Sequence, residues 1–177
     1  YIAALGGIQM IEINTNLEVK VNPLKIELIA LNKIQKSLFL IHTSTDRSSE
    51  KIIEAQKKEF KVNENLLIEV YDRIKEIGKN AVSDLISGNI NNLGKEMDLH
   101  WKIKKSITSS ISSSKLDDMY VNLKSYGALG GKIIGAGGGG FFLMVVEKNF
   151  DLYRSKVEEH GYKIIDFSFE FKGVHSL

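Results

Sequence analysis

The stretch that decides the fold of this 177-residue chain is GGKIIGAGGGGFF, residues 130 to 142. Four successive glycines, Gly137 to Gly140, run directly into an apolar segment, Phe141 to Val146. Glycine loses more backbone freedom on folding than any other residue, so such a cluster carries an entropic cost that a structural or functional role must offset. The pattern predicts a glycine-rich turn before a buried strand, where successive amide groups can form an anion-binding concavity. The alternative is a tight turn that only lets a strand enter a crowded core.

Two common nucleotide-binding motifs do not fit this stretch. Gly135, Gly137 and Gly140 satisfy G-x-G-x-x-G, but the dinucleotide-binding motif needs a helix after the glycines, and here a strand pattern follows. A Walker A loop ending at Lys132 would need Ser or Thr at the next position, which is Ile133. The glycines therefore belong to another kind of site.

The rest of the chain predicts alternating strands and helices. Strands are expected over residues 8–13, 18–24, 37–43, 141–147 and 162–169. Apolar spacings of three and four predict helices from about residue 48 to 106, with breaks at Asn63, Gly78 and residues 87–89, and again after residue 116 and over 150–160. A serine-rich segment, residues 106–114, is predicted to be an ordered loop. The β-α-β ending favours an α+β fold, a two-layer sandwich of ferredoxin-like type.

Composition excludes several classes of partner. Lys plus Arg is 24 and Asp plus Glu is 22, so the net charge of +2 gives no reason to expect a nucleic acid or an anionic membrane as a partner. The absence of cysteine excludes disulfides and thiolate metal sites and fits a reducing, cytoplasmic location. The four histidines are scattered without metal-ligand spacing, so we predict no metal site in this chain.

A longer string around the glycines resembles a family motif. GALGGKIIGAGGGGF, residues 127 to 141, is similar to the third signature motif of the GHMP kinases, the superfamily of galactokinase, homoserine kinase and mevalonate kinase. YIAALGGIQMIEI, residues 1 to 13, and GYKIIDFSFEFKGVHSL, residues 161 to 177, resemble segments of its heptose 7-phosphate kinase branch. The resemblance implies that residues 1–35 end the N-terminal kinase domain as a strand-hairpin remnant and that residues 36–177 form the GHMP kinase C-terminal domain.

The resemblance also implies an activity. It points to an ATP-dependent kinase, working with Mg²⁺, that phosphorylates the anomeric hydroxyl of D-glycero-D-manno-heptose 7-phosphate for lipopolysaccharide, S-layer or capsule glycans. The family's phosphate loop and catalytic aspartate lie in its N-terminal half, and that aspartate is expected two residues before Tyr1. We therefore expect no catalytic residue in this chain, inactivity of the chain alone, and the N-terminal half as its partner.

The same resemblance assigns binding residues. The glycine motif, expected beside the ATP phosphates, comprises Gly135, Ala136, Gly137, Gly138, Gly139 and Gly140. The residues expected near the sugar phosphate are Arg47, Trp101, Lys132, Tyr1 and Gly7. For Arg47 the alternative is a solvated surface charge, for Trp101 a core aromatic, and for Lys132 an exposed lysine. HWKIKK, residues 100 to 105, resembles a helix segment of the heptose branch that faces the sugar pocket.

One functional alternative stays open at this point. The chain can be a stand-alone α+β module that binds a phosphorylated sugar or nucleotide without catalysis. If it is half of a kinase, the apolar surface that packs against the other half is exposed, and such a surface favours self-association. We therefore also expect homodimers or aggregates of the isolated chain.

Overall fold

The computed structural model describes residues 2–45 and 48–174. The helices are α1 (Ile2–Leu5), α2 (Leu28–Ser37), α3 (Ser49–Val62), α4 (Glu64–Ser87), α5 (Ile90–Lys105), α6 (Ser114–Ser125) and α7 (Phe150–Glu159). The strands are β1 (Gln9–Ile13), β2 (Val19–Pro23), β3 (Leu38–His42), β4 (Gly130–Ile133), β5 (Phe141–Val145) and β6 (Lys163–Ile165). A short 3-10 helix, Ser109–Ile111, lies between α5 and α6.

Four of the strands form one antiparallel sheet. Their order across the sheet is β4-β5-β3-β6, and the central pair runs in register from Leu38 opposite Val145 to His42 opposite Phe141. Read from the other edge, this order is that of a ferredoxin-like sandwich, in which β5, α7 and β6 form the closing β-α-β unit. The predicted α+β, two-layer class is confirmed. Strands β1 and β2 pair only with each other, as a separate hairpin.

The two faces of the four-stranded sheet differ in burial. Alternate side chains of one face are almost completely buried, among them Phe39, Ile41, Phe142 and Met144. They pack with α6 and α7 in the main hydrophobic core. The other face, which carries His42, Lys132 and Leu143, is only partly covered. Because side chains alternate between the two faces along a strand, β5 contributes side chains both to the core and to the partly covered face.

Helix α5 runs along the edge strand β4. A Cβ added at Gly130 would collide with the carbonyl of Gly94 and the side chain of Asp98, and one at Gly131 would collide with Met144. Glycine is therefore required at both positions for the helix and the neighbouring strand to approach so closely. Strand β4, which was not predicted from the sequence, therefore precedes the predicted glycine turn.

Three further differences from the sequence prediction have physical reasons. Gly78 does not break the helix: α4 continues through it, because Ile74 and Ile77 pack inward and outweigh the roughly 1 kcal/mol that one glycine costs relative to alanine. Helix α2 was not predicted, since among its apolar residues only Ile34 is fully buried. Strand β6 is shorter than the predicted residues 162–169, because the backbone of Phe167 and Phe169 bonds to the side chain of Gln35 and does not pair with β3.

Other predicted breaks are confirmed. Asn63 separates α3 from α4, and Gly88 ends α4 in the left-handed conformation at φ +65°. The serine-rich segment is ordered around its 3-10 helix. The expected boundary between residues 35 and 36 falls inside α2 and stays a prediction. No helix within residues 2–45 and 48–174 is both long and apolar enough to cross a membrane.

Candidate functional site

The glycine loop, residues 134–140, joins β4 to β5 and is held by segments far away in sequence. The amide of Gly140 donates to the carbonyl of Thr45 at 3.1 Å, and the amide of Gly138 donates to the carbonyl of Ile111 at 2.8 Å. The carbonyl of Gly140 accepts from the amide of Thr43 at 2.9 Å. The loop is therefore fixed between the end of β3 and the 3-10 helix.

Two side chains from helices hold the other half of the loop. The Gln56 amide of α3 donates to the carbonyl of Ala136 at 3.3 Å. The Lys104 ammonium of α5 donates to the carbonyl of Gly135 at 2.6 Å. Because its carbonyls are held by these donors, the loop keeps one backbone path without needing a ligand to order it.

Several amides of the loop remain available. Among the described residues, none accepts a hydrogen bond from the backbone N–H of Ala136, Gly137 or Gly139. The glycines of the loop have positive φ, between 75° and 147°, a region that favours glycine. Successive amides in such a conformation can form a concave site for an anion such as a phosphate oxygen. These unpaired N–H groups, on a backbone that is held in place, are available to bind an anion.

A basic cluster lies next to the loop on the partly covered face of the sheet. The Nζ atom of Lys132, on β4, is 3.4 Å from Nε2 of His100, on α5. Burial and then the neighbouring charge of Lys104 lower the pKa of Lys132 to about 8. Burial also lowers the pKa of Lys104. Within the described ranges neither lysine forms an ion pair. An anion bound here would offset the repulsion between the Lys132 and Lys104 ammonium groups. It would also compensate for the solvation that these groups lose on burial.

His100 is held in its neutral form by the same surroundings. Burial, followed by the charges of Lys132 and Lys104, lowers the pKa of His100 to about 4. A lysine ammonium has only donors, so Nε2 accepts from Lys132 and the proton of the neutral ring resides on Nδ1.

A cavity of about 470 Å³ opens beside this cluster, between α4, α5 and the sheet. Its wall is mostly apolar and includes Ile8, Ile77, Leu143 and Phe169. Its polar lining residues are Glu96, His100 and Lys132. A small number of polar groups on an apolar wall is typical of a small-molecule site.

Trp101 has a different place from the other predicted site residues. Its side chain is completely buried and packs edge-on against Phe142, with the ring centres 5.7 Å apart. This placement agrees with the alternative that Trp101 is an aromatic residue of the hydrophobic core. Contact between Trp101 and a substrate stays a prediction.

Gly7, another predicted substrate residue, does not line the cavity. Gly7 adopts φ +66° and donates its amide to the carbonyl of Glu170 at 2.6 Å, beside the ring of Phe171. Its neighbour Ile8 lines both the cavity and a smaller pocket, whereas Gly7 borders only the smaller pocket. Tyr1 and Arg47 lie outside the described residues.

A network of hydrogen bonds and ion pairs around the buried Asp98 carboxylate fixes the strand that carries Lys132. The Asp98 carboxylate accepts from the Tyr120 hydroxyl at 2.7 Å, from Lys124 at 2.8 Å and from Lys102 at 2.7 Å. The Tyr120 oxygen also accepts from the amide of Gly131 at 3.2 Å. Burial acts to raise the pKa of Asp98, but these donors together lower it below its usual value. The network ties α5 and α6 to β4.

The sequence prediction missed Gln56 and Glu96 and did not include Lys104 among the binding residues. Glu96, His100 and Lys104 follow one another at intervals of four, which places them on one face of α5. This spacing was the signal available in the sequence. The partners on the loop, in contrast, lie 31 residues away for Lys104 and 80 for Gln56, and no local pattern indicates them.

Part of the chain matches a known protein family. Residues 81–163, which run from α4 to β6 and include the glycine loop, match the family of GHMP kinases C terminal. The D-glycero-alpha-D-manno-heptose 7-phosphate kinase of Campylobacter jejuni is 30% identical over 178 residues, which cover 99% of this chain and 52% of that protein. The chain thus spans about half the length of this curated relative.

Two solved kinases illustrate the likeness in fold. A D-glycero-D-manno-heptose 1-phosphate kinase from Bacteroides thetaiotaomicron aligns with a TM-score of 0.69 at 22% identity, over 99% of this chain and 48% of that one. The L. major mevalonate kinase, solved with R-mevalonate, aligns with a TM-score of 0.72 at 21% identity, over 87% of this chain and 45% of that one. At these identities the likeness concerns the fold.

Proposed function

We propose that the chain, whose residues 81–163 match the family of GHMP kinases C terminal, is the C-terminal portion of an ATP-dependent sugar kinase. The substrate is D-glycero-D-manno-heptose 7-phosphate, and the group phosphorylated is its anomeric hydroxyl. The similarity of nearly the whole chain to a heptose 7-phosphate kinase supports this substrate over other sugars. The product would enter the synthesis of surface glycans such as lipopolysaccharide or capsule, in the cytoplasm.

The observation that carries the proposal is the glycine loop with its basic neighbours. The loop offers unpaired amides on a backbone held by Thr45, Ile111 and Gln56. Lys132 and Lys104 stand beside it without carboxylate partners among the residues that the structure describes. Donors and cations held in place before the ligand arrives are what a phosphate-binding wall requires.

The proposed role of these residues is to position and to neutralise charge. ATP, when bound, supplies the phosphoryl group. Phosphoryl transfer depends mostly on positioning and on stabilising the charge of the phosphate oxygens. The amides of Ala136, Gly137 and Gly139 would face phosphate oxygens. The ammonium of Lys132 would attract the negative charge of the sugar phosphate. Lys104, bound to Gly135, holds the loop in the shape that does this.

The remaining parts of the reaction are assigned to the N-terminal half. Within residues 2–45 and 48–174 no group of three or more His, Asp or Glu side chains could hold a metal ion. We therefore propose that the ligands of Mg²⁺, the phosphate loop and the catalytic aspartate come from the N-terminal half, with residues 1–35 as the end of that domain and residues 36–177 as the C-terminal domain. On this proposal the isolated chain is inactive.

An ADP-release assay tests the proposal. ATP, Mg²⁺ and D-glycero-D-manno-heptose 7-phosphate are supplied to this chain and to a protein extended upstream to include the phosphate loop. We expect turnover only in the extended protein. If neither protein turns over heptose, galactose, fucose or mannose phosphates, while the chain still binds a sugar phosphate, the non-catalytic binding module replaces the kinase.

A further inference from the structure

Two residues that line the 470 Å³ cavity, Glu96 and His100, each carry a buried polar atom that has no hydrogen-bond partner among the described residues. One is Oε2 of Glu96 and the other is Nδ1 of His100. The second oxygen of Glu96 is already used, because Oε1 accepts from the Asn80 amide at 3.3 Å. Buried polar groups are nearly always paired in folded proteins, so these two unpaired atoms are candidates to bind polar groups of a ligand.

The two atoms have complementary hydrogen-bonding character. With the Nε2 atom of His100 accepting from Lys132, its Nδ1 atom carries the proton and is a donor. The Glu96 carboxylate is an acceptor only. Glu96 and His100 are four residues apart on α5, so their side chains lie next to each other on one helix face. A single hydroxyl group can donate to the first and accept from the second.

We propose that Glu96 and His100 form a recognition pair for one hydroxyl of a polyhydroxylated anion, whose negative group binds at Lys132. The ligand class follows from the lining: a hydroxyl for the pair, an anionic group for the ammonium, and a carbon skeleton against the apolar wall. This inference rests on the proposed function, because a sugar phosphate carries all three. It adds the residues of this chain that would select the sugar.

Kinetics of the full-length enzyme with deoxy substrates test the pair. The substrates are D-glycero-D-manno-heptose 7-phosphate and its 2-, 3- and 4-deoxy analogues. For the wild type we expect one analogue to show KM raised roughly 10- to 100-fold, as for a lost hydrogen bond to a charged group. Glu96→Gln keeps an oxygen for Asn80 but puts an amide where Oε2 was. It is expected to raise KM for the parent sugar by a similar factor and to show no further loss with that analogue.

A matched control and a second variant separate recognition from folding. Glu69→Gln, on the exposed face of α4, makes the same chemical change away from the cavity and should leave every KM unchanged. His100→Phe should abolish discrimination against the same analogue as Glu96→Gln does. A variant that is merely less folded would affect all analogues alike. If both variants keep the wild-type discrimination, the recognition pair is refuted while the kinase proposal stands.

Nuclear magnetic resonance of the histidine ring covers the case of an inactive enzyme. In ¹⁵N-labelled protein, adding the heptose 7-phosphate should shift the Nδ1 signal of His100, and inorganic phosphate alone should not. A shift without turnover supports the pair and removes the kinase proposal. An unchanged signal at saturating sugar phosphate refutes the pair whatever the activity.

Discussion

Replacing Gly139 by alanine is expected to destabilise the chain strongly, because the new methyl group would collide with a neighbouring backbone carbonyl. The same substitution at Gly140 serves as a control for this collision. Both Gly139, at φ +147°, and Gly140, at φ +90°, have backbone conformations that disfavour a side chain. A Cβ at Gly139 would collide with the backbone carbonyl of Thr45, whereas one at Gly140 meets nothing within 4 Å. Gly140→Ala is therefore the matched control, since it carries the conformational cost without the collision.

The magnitudes follow from these two terms. A non-glycine residue held at positive φ costs about 1–2 kcal/mol, and both variants carry this cost. Forcing an extra methyl group against a packed neighbour costs a further 1–3 kcal/mol, roughly, and only Gly139→Ala carries it. The Thr45 carbonyl cannot retreat freely, because it also accepts from the amide of Gly140. We expect a difference of about 2 kcal/mol between the variants, or about 4–8 °C in Tm for a domain of this size.

Urea unfolding followed by circular dichroism measures the difference. The free energy of unfolding is compared at equal slope against urea, so that a change of midpoint reports stability alone. Equal losses in the two variants would refute the close approach of the glycine loop to Thr45. A loss in Gly140→Ala larger than in Gly139→Ala would refute the assignment of open space around Gly140.

Three further predictions concern charge, packing and association. In the full-length enzyme kcat/KM should fall tenfold per pH unit above about pH 8, because the protonated Lys132 that binds the anion is lost as the pH rises through its pKa. In the variant Lys132→Arg, which stays protonated, the measured pH profile should not show this fall. Tyr120→Phe should lower the free energy of unfolding by about 2 kcal/mol, since the buried Asp98 loses a donor, whereas Tyr126→Phe should cost less than about 0.5 kcal/mol in the same urea titration. Light scattering should show self-association of the isolated chain, and Ile29→Lys, at a side chain that is 83% exposed, should reduce it; a wild-type monomer at all concentrations would contradict this.

Much of the fold could be predicted because several elements carry strong local signals. Strands β3 and β5 alternate buried and half-buried side chains, and Gly88 marks the end of α4 with a left-handed residue. Helix α2 lacked such a signal, because Leu28 and Ile29 are exposed and only Ile34 anchors it in the core. Its position depends on contacts with α4 and α5, which are distant in sequence.

The candidate site could be predicted only in part, for a similar reason. The glycine loop is visible in the composition of residues 135–140, since few structures need so much bare backbone. Strand β4 was concealed by Gly130 and Gly131, which have no side chains to show the alternation typical of a strand. Glu96 and Lys132 line the same cavity because α5 packs against β4. This tertiary contact produces no periodic pattern in the sequence of either segment.

The order of strands in the central sheet has a consequence for how the chain reaches its native state. Its two middle strands, β3 and β5, are separated by roughly a hundred residues that include four helices. Pairing them requires closure of a long loop before any ladder hydrogen bond forms, and sheets dominated by such distant pairings are slow to fold. The hairpin of α4 and α5 contains mostly local contacts, so we expect it to assemble first, with the glycine loop taking its final shape only in the last, slow step.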